Sequence, residues 1–202
     1  MKLYLSPGAC SLSPHIALRE AGLDFEVDVV NMKTKETRSG KDFTTINPKG
    51  YVPALELDEG GVLTEGAVIV QYIADRKPES KLAPKSGTLE RYRLQEWLNY
   101  IAAEVHKGFS PLFNPGATDD AKQATRDALA KKFVFLAASL EKKQFLTGDT
   151  FTVADAYLFT ILNWANFVKI DLSAWPPLKA YVERVSARPA VKAALDAEKA
   201  LR

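Results

Sequence analysis

The sequence predicts an α/β domain followed by an all-α domain. Three observations carry that prediction. Strand and helix signals run β-α-β-(loop)-β-β-α over the first 80 residues, a turn-rich stretch PESKLAPKSG follows at 78–87, and strand signals nearly vanish beyond it. The expected boundaries are residues 1–80 for the α/β domain, 81–87 for the linker and 88–202 for the helical domain.

Lys2–Leu5 is the first expected strand, broken by Pro7 and Gly8. Ser11 or Ser13 then caps a helix through Ile16, Ala17 and Leu18. Pro14 sits in its first turn and Gly22 serves as the left-handed residue that ends it. Phe25–Val30 reads as a strand with Phe25, Val27 and Val29 on one face. After a polar stretch from Lys33 to Asp42, Val52–Leu57 and Val62–Thr64 read as two strands joined at Gly60-Gly61. Ala67, Val68, Ile69, Tyr72 and Ile73 then mark a helix. A crossover helix followed by a hairpin implies a small mixed sheet with helices packed on it.

Beyond the linker, Leu94, Leu98, Ile101 and Val105 form the apolar face of a long helix, and Leu129, Phe133, Leu136 and Leu140 that of another. Thr152–Val168 reads as a helix buried on most sides, and Leu178–Ser186 and Ala190–Leu201 complete the helical half.

Composition narrows the function classes. There are 27 Lys and Arg against 25 Asp and Glu, a net charge of +2, which leaves no electrostatic footprint for nucleic acid or an anionic membrane. No run approaches the length of a membrane span, and the N-terminus MKLYLSPGAC lacks the apolar core of a secretory signal. The single cysteine, Cys10, excludes an intrachain disulfide and a four-cysteine zinc site, and fits a reducing cytoplasm.

Four groups of residues could carry chemistry. Cys10 lies at a strand-to-helix junction, where amide donors and the helix dipole favour a thiolate. A lone cysteine is more often a small buried hydrophobe. In NPKGYVPAL, a cis Pro53 would turn the backbone of Val52 outward to pair with a peptide-like ligand, although an ordinary turn explains the same residues. Glu65 and Gly66 open a helix and suit an amino-acid head, with Glu65 for the ammonium and the Gly66 N–H for the carboxylate. A plain helix-start acid accounts for Glu65 as well. Asn99, Ala103, His106, Lys107 and Ser110 share one polar face of the long helix. That face is either solvated or, if turned toward Cys10, able to bond and polarise its sulfur. Thr152 and Asp155 match a capping box and are assigned to folding.

In order, SPGACSLSPHIALREAGL, NPKGYVPAL, LTEGAVIVQYIAD, LNYIAAEVHKGFSPLF and FTVADAYLF resemble the Beta class of bacterial glutathione transferases over nearly the whole chain. Other classes of that superfamily generally place Tyr or Ser where this chain has Cys10. The resemblance implies a thioredoxin-like domain followed by a helical bundle, with glutathione as co-substrate and a small hydrophobic electrophile as partner. It implies a cytoplasmic homodimer that needs no metal. By the same resemblance, Cys10 contacts the glutathione sulfur, Val52 before cis Pro53 pairs with the cysteinyl backbone, and Glu65 and Gly66 hold the γ-glutamyl end. Lys35 reaches a carboxylate, His106 and Lys107 close the site, and Asn99 and Glu104 act across the dimer. Tyr4 and Ser11 lie near the site without activating the nucleophile. Many transferases have Glu-Ser where this chain has Glu65-Gly66, so only a hydroxyl bond is missing. Phe109, Phe113 and Trp164 are expected against the electrophile. The implied activity is conjugation with Cys10-dependent thiol–disulfide or peroxidase side activity. The alternatives are a mainly redox enzyme, a dehalogenase and a non-catalytic ligand-binding scaffold.

Overall fold

The computed structural model describes all 202 residues. Two compact units are present, Met1–Ala83 with Arg188–Arg202, and Pro84–Ala187.

The first unit is built on a four-stranded mixed sheet. β1 (Lys2–Leu5) lies between β2 (Glu26–Val29), parallel to it, and β3 (Ala54–Glu56), antiparallel, and β4 (Val62–Thr64) pairs antiparallel with β3. Parallel strands need a crossover, which α1 (Leu12–Ala21) supplies, and Gly22 ends α1 at φ 64. The short α2 (Phe43–Ile46) and the longer α3 (Gly66–Arg76) follow, with α3 packed on α1. Leu3, Leu5, Ile16, Leu18, Leu55, Ile69 and Ile73 form the fully buried core. Tyr4 alternates to the other face, where Val30, Phe43, Val52 and Ala54 cluster with it.

Two local features of this unit go beyond the sequence reading. On β2 the inward residues are Asp28 and, just beyond the strand, Val30, while Phe25, Val27 and Val29 are half-exposed. The polar stretch after β2 folds back on it and makes this possible. Ser39 donates through its N–H and Oγ to the Asp28 carboxylate at 3.3 and 2.6 Å, and Arg38 N–H bonds Val29 O at 2.7 Å. A buried carboxylate supplied with donors is tolerable where a bare one is not. The unexpected α2 forms because Asp42 accepts from Thr44 N–H and Phe43 is fully buried beneath it.

The last helix, α9 (Pro189–Ala200), was expected with the helical half. It packs instead on α1 and belongs to the first unit. Val191 and Ala194 are fully buried, and Arg188 grips the Glu20 carboxylate with two bonds of 2.6 and 2.8 Å. Glu198, nearly inaccessible, accepts from Gly8 N–H at 2.8 Å and from His15 Nδ1 at 3.1 Å. Charged residues on a terminal helix read as solvated in sequence, and Arg188 and Glu198 find partners far along the chain.

In the second unit, α4 (Leu89–Tyr100) continues into a π-helical segment, Ile101–His106. There follow α5 (Asp119–Leu140), α6 (Val153–Leu162), the four-residue α7 (Trp164–Phe167) and α8 (Pro176–Ser186). Leu94, Leu98, Ile101 and Val105 are buried along α4 and its extension, and Leu129, Phe133, Leu136 and Leu140 along α5. All ten residues of α6 are buried, and the helix stops at Asn163 rather than running to Val168. At its start Thr152 and Asp155 form a capping box. The Asp155 carboxylate accepts from Thr152 N–H and Oγ1 and Leu146 N–H, each at 2.9 Å, and from the Tyr181 hydroxyl at 3.1 Å.

Candidate active site

In the first unit the site is assembled at the ends of β1 and α1 and in the loop before β3. Cys10 lies in the turn before α1, half-buried, and its thiol donates to the carbonyl of Val52 at 3.4 Å. Ser13 Oγ fixes the same turn by donating to Cys10 O at 2.9 Å. The Val52–Pro53 peptide is cis. Asn47 braces this loop, its Nδ2 donating to Tyr51 O at 2.7 Å.

Glu65 and Gly66 sit at the start of α3, beside Pro53. Gly66 opens the helix, so its N–H belongs to the first-turn donors. A Cβ on Gly66 would meet Pro53 Cγ at 3.7 Å and Ser13 Oγ at 3.8 Å, ordinary contact distances, so the glycine is not demanded by space. Glu65 has φ 68, rare for a residue with a side chain, and its exposed carboxylate pairs with Lys49 Nζ at 2.6 Å. Strained backbone of this kind persists where a specific orientation is held, and it clusters at ligand sites. Lys35, also at positive φ (61), sends Nζ to Gly50 O at 2.9 Å and passes over the Tyr51 ring.

Tyr4 and Ser11 are committed elsewhere. The Tyr4 hydroxyl donates to Glu56 at 2.7 Å, and burial with that neighbouring carboxylate drives its pKa far up. Ser11 Oγ bonds the Ser6 backbone.

In the second unit His106 ends the π-helical segment, half-buried, with Nδ1 2.8 Å from the Tyr157 hydroxyl. Burial pushes its pKa down from 6.5 to about 4, and the Lys107 ammonium adds to the shift, so the ring is neutral at ordinary pH. Trp164 packs edge-on against His106 at 4.9 Å and against Phe113 at 5.3 Å. Phe109, expected at the electrophile, is fully buried and so is a core residue, whereas Phe113 is 47% exposed. Lys107, Asn99 and Glu104 are exposed, and Glu104 forms an ion pair with Lys132.

Sequence reasoning missed Tyr157 and Glu198. For Tyr157 a signal existed, because a hydroxyl within a largely apolar helix must find a partner. For Glu198 nothing in the local sequence pointed to Gly8 and His15.

This arrangement has known counterparts. Residues 8–76 match the family described as glutathione S-transferase, N-terminal domain, and residues 100–189 its C-terminal domain. A glutathione S-transferase, GstA, of Escherichia coli O157:H7 is 46% identical over 98% of both chains. The chain belongs to the glutathione S-transferase family. Among solved structures, a bacterial beta-class glutathione S-transferase of Sphingomonas chungbukensis is 52% identical, with a TM-score of 0.95 over 98% of both chains. A sphingomonad glutathione S-transferase complexed with glutathione is 49% identical, with a TM-score of 0.96 over 98% of this chain and 99% of that one. The chain is therefore a glutathione transferase of the Beta class, with glutathione as its co-substrate. Its fold is the thioredoxin-like domain and helical domain of that family.

Proposed function

We propose that this transferase conjugates glutathione to small hydrophobic electrophiles. The glutathione sulfur, its proton released to solvent, forms the new carbon–sulfur bond while the leaving group departs with its electron pair. The observation that carries the reading is the meeting of Cys10 and Val52, 42 residues apart, at 3.4 Å beside the start of α3. It supports a peptide thiol lying along Val52 with its sulfur at Cys10. In this reading the Val52 N–H, next to Pro53, takes the cysteinyl backbone, and Glu65 and the Gly66 N–H take the γ-glutamyl ammonium and carboxylate. Lys35 takes a further carboxylate. His106, as a neutral donor, and Lys107, as a charge, are assigned to the ligand by the family resemblance alone.

A second reading, thiol–disulfide exchange, is favoured by the half-buried position of the Cys10 sulfur. Cys10 attacks a disulfide, one thiol leaves, and glutathione resolves the mixed disulfide. Cys10→Ala tests both. Conjugation that persists at reduced rate while reduction of hydroxyethyl disulfide disappears supports both activities as assigned. Complete loss of conjugation with glutathione binding intact overturns the role given to the glutathione sulfur.

The reading includes a homodimer. Leu89, Tyr92, Val134 and Phe135 are exposed on α4 and α5, and Phe135 meets the rings of Trp97 and Tyr100 at 5.9 and 5.3 Å. Such a patch suits a second copy, with Asn99 and Glu104 on the same helix and its extension. A monomer by sedimentation at micromolar concentration contradicts it. No helix is long and apolar enough to cross a membrane, and the single cysteine suits the cytoplasm.

A further inference from the structure

We propose that Tyr157 is the positioning residue for His106. Its phenol donates to Nδ1, holding the imidazole with its proton on Nε2 as the donor offered to a ligand.

The geometry leaves two placements of the proton in the 2.8 Å contact between Tyr157 Oη and His106 Nδ1. In one the phenol donates, and in the other Nδ1–H does. A phenol is a far stronger acid than a neutral imidazole, and an imidazole nitrogen a far stronger base than a phenol oxygen. The bond from the phenol to the ring nitrogen is therefore the stronger of the two, with Tyr157 donating and Nδ1 accepting. A neutral imidazole carries one N–H, so with Nδ1 accepting, that N–H is on Nε2.

Packing makes the assignment rigid. Tyr157 is 4% exposed in a helix that is buried throughout, so its hydroxyl has little freedom. Its ring meets the imidazole nearly edge-on, at 5.9 Å and 82°, and Trp164 flanks the imidazole at 4.9 Å and 74°. A flip of the imidazole would break the Tyr157 bond. The backbone that carries it is π-helical, a geometry frequent at functional sites.

The other histidine is set the opposite way. Arg19 Nε donates to His15 Nε2 at 3.0 Å, so His15 carries its proton on Nδ1 and donates to Glu198. The chain thus holds its two histidines in opposite tautomers.

Only the expected effect on conjugation rests on the function proposed above. The tautomer stands on the 2.8 Å contact and on the relative acidity of phenol and imidazole. The test is long-range nitrogen–proton correlation on the 15N-labelled protein at neutral pH, with a His106→Asn spectrum for assignment. The expected result is an unprotonated, hydrogen-bonded Nδ1 and a protonated Nε2 for His106, and the reverse for His15. In Tyr157→Phe the Nδ1 resonance of His106 should move to that of an unbonded nitrogen. Its kcat for conjugation should fall roughly three- to ten-fold, with KM for glutathione within about two-fold. A proton on Nδ1 of wild-type His106 overturns the proposal. So does a Tyr157→Phe protein with unchanged nitrogen resonances, or one with a raised KM and unchanged kcat. A wild type that turns over no glutathione defeats the functional reading instead, and the nitrogen spectra still decide the tautomer.

Discussion

Lys49 Nζ lies 2.6 Å from the carboxylate of Glu65, the group assigned to the ammonium of glutathione. It also bonds Thr64 Oγ1 at 3.1 Å. The ligand's ammonium therefore competes with a side-chain ammonium already paired to one oxygen of that carboxylate. Lys49→Ala should tighten glutathione binding about two- to five-fold at low salt, the scale of an exposed ion pair, and the gain should fade by about 0.5 M salt. Titration calorimetry at the two salt concentrations checks both effects.

The backbone of Glu65 separates stability from binding. At φ 68 a side chain is strained and glycine is not. Glu65→Gly should stabilise the fold by about 1 kcal/mol, seen as a raised melting temperature. The same variant should bind glutathione at least ten-fold more weakly, because the carboxylate is gone. A variant that is less stable than the wild type contradicts the strain argument.

Asp155 holds four donors in a fully buried site. Asp155→Ala strands Thr152 N–H and Oγ1 and Leu146 N–H, leaves the Tyr181 hydroxyl only the residue 155 carbonyl at 3.3 Å, and should cost about 3 kcal/mol. The expected signature is a lowered urea midpoint with an unchanged denaturant slope.

His106 links stability to acidity. Its folded pKa, about 4, lies below the 6.5 of the unfolded chain, so between these values the unfolded state binds more protons. The stability it contributes is present above 6.5 and is lost as the pH falls toward 4, about 3 kcal/mol in all. Urea unfolding at about pH 7 and about pH 4.5 should show a smaller drop for His106→Asn than for the wild type, by about 2 kcal/mol.

Periodic burial was legible in the sequence. The stripes of Leu94, Leu98, Ile101 and Val105, and of Leu129, Phe133, Leu136 and Leu140, are buried in the structure, because a helix in contact with a core shows its period directly. Gly22 ends α1 for the conformational reason its type suggests. What could not be read depended on distant partners. The burial of Asp28 needs Ser39, and the placement of α9 needs Gly8, His15 and Glu20. Among the candidate residues, Cys10, Val52, Glu65 and His106 were visible as residue types at telling positions. Tyr157 carried only the signal of a hydroxyl in an apolar run, and Lys49 lay within a turn; the partner of each lies outside its own segment.

The central claim is that the first unit seats glutathione through Glu65 and Gly66 at the start of α3. Calorimetric titration of reduced glutathione into the purified protein tests it most directly. The account predicts binding in the micromolar-to-millimolar range, weakened at least ten-fold by Glu65→Ala. The absence of binding heat, or equal binding by the variant, would contradict it.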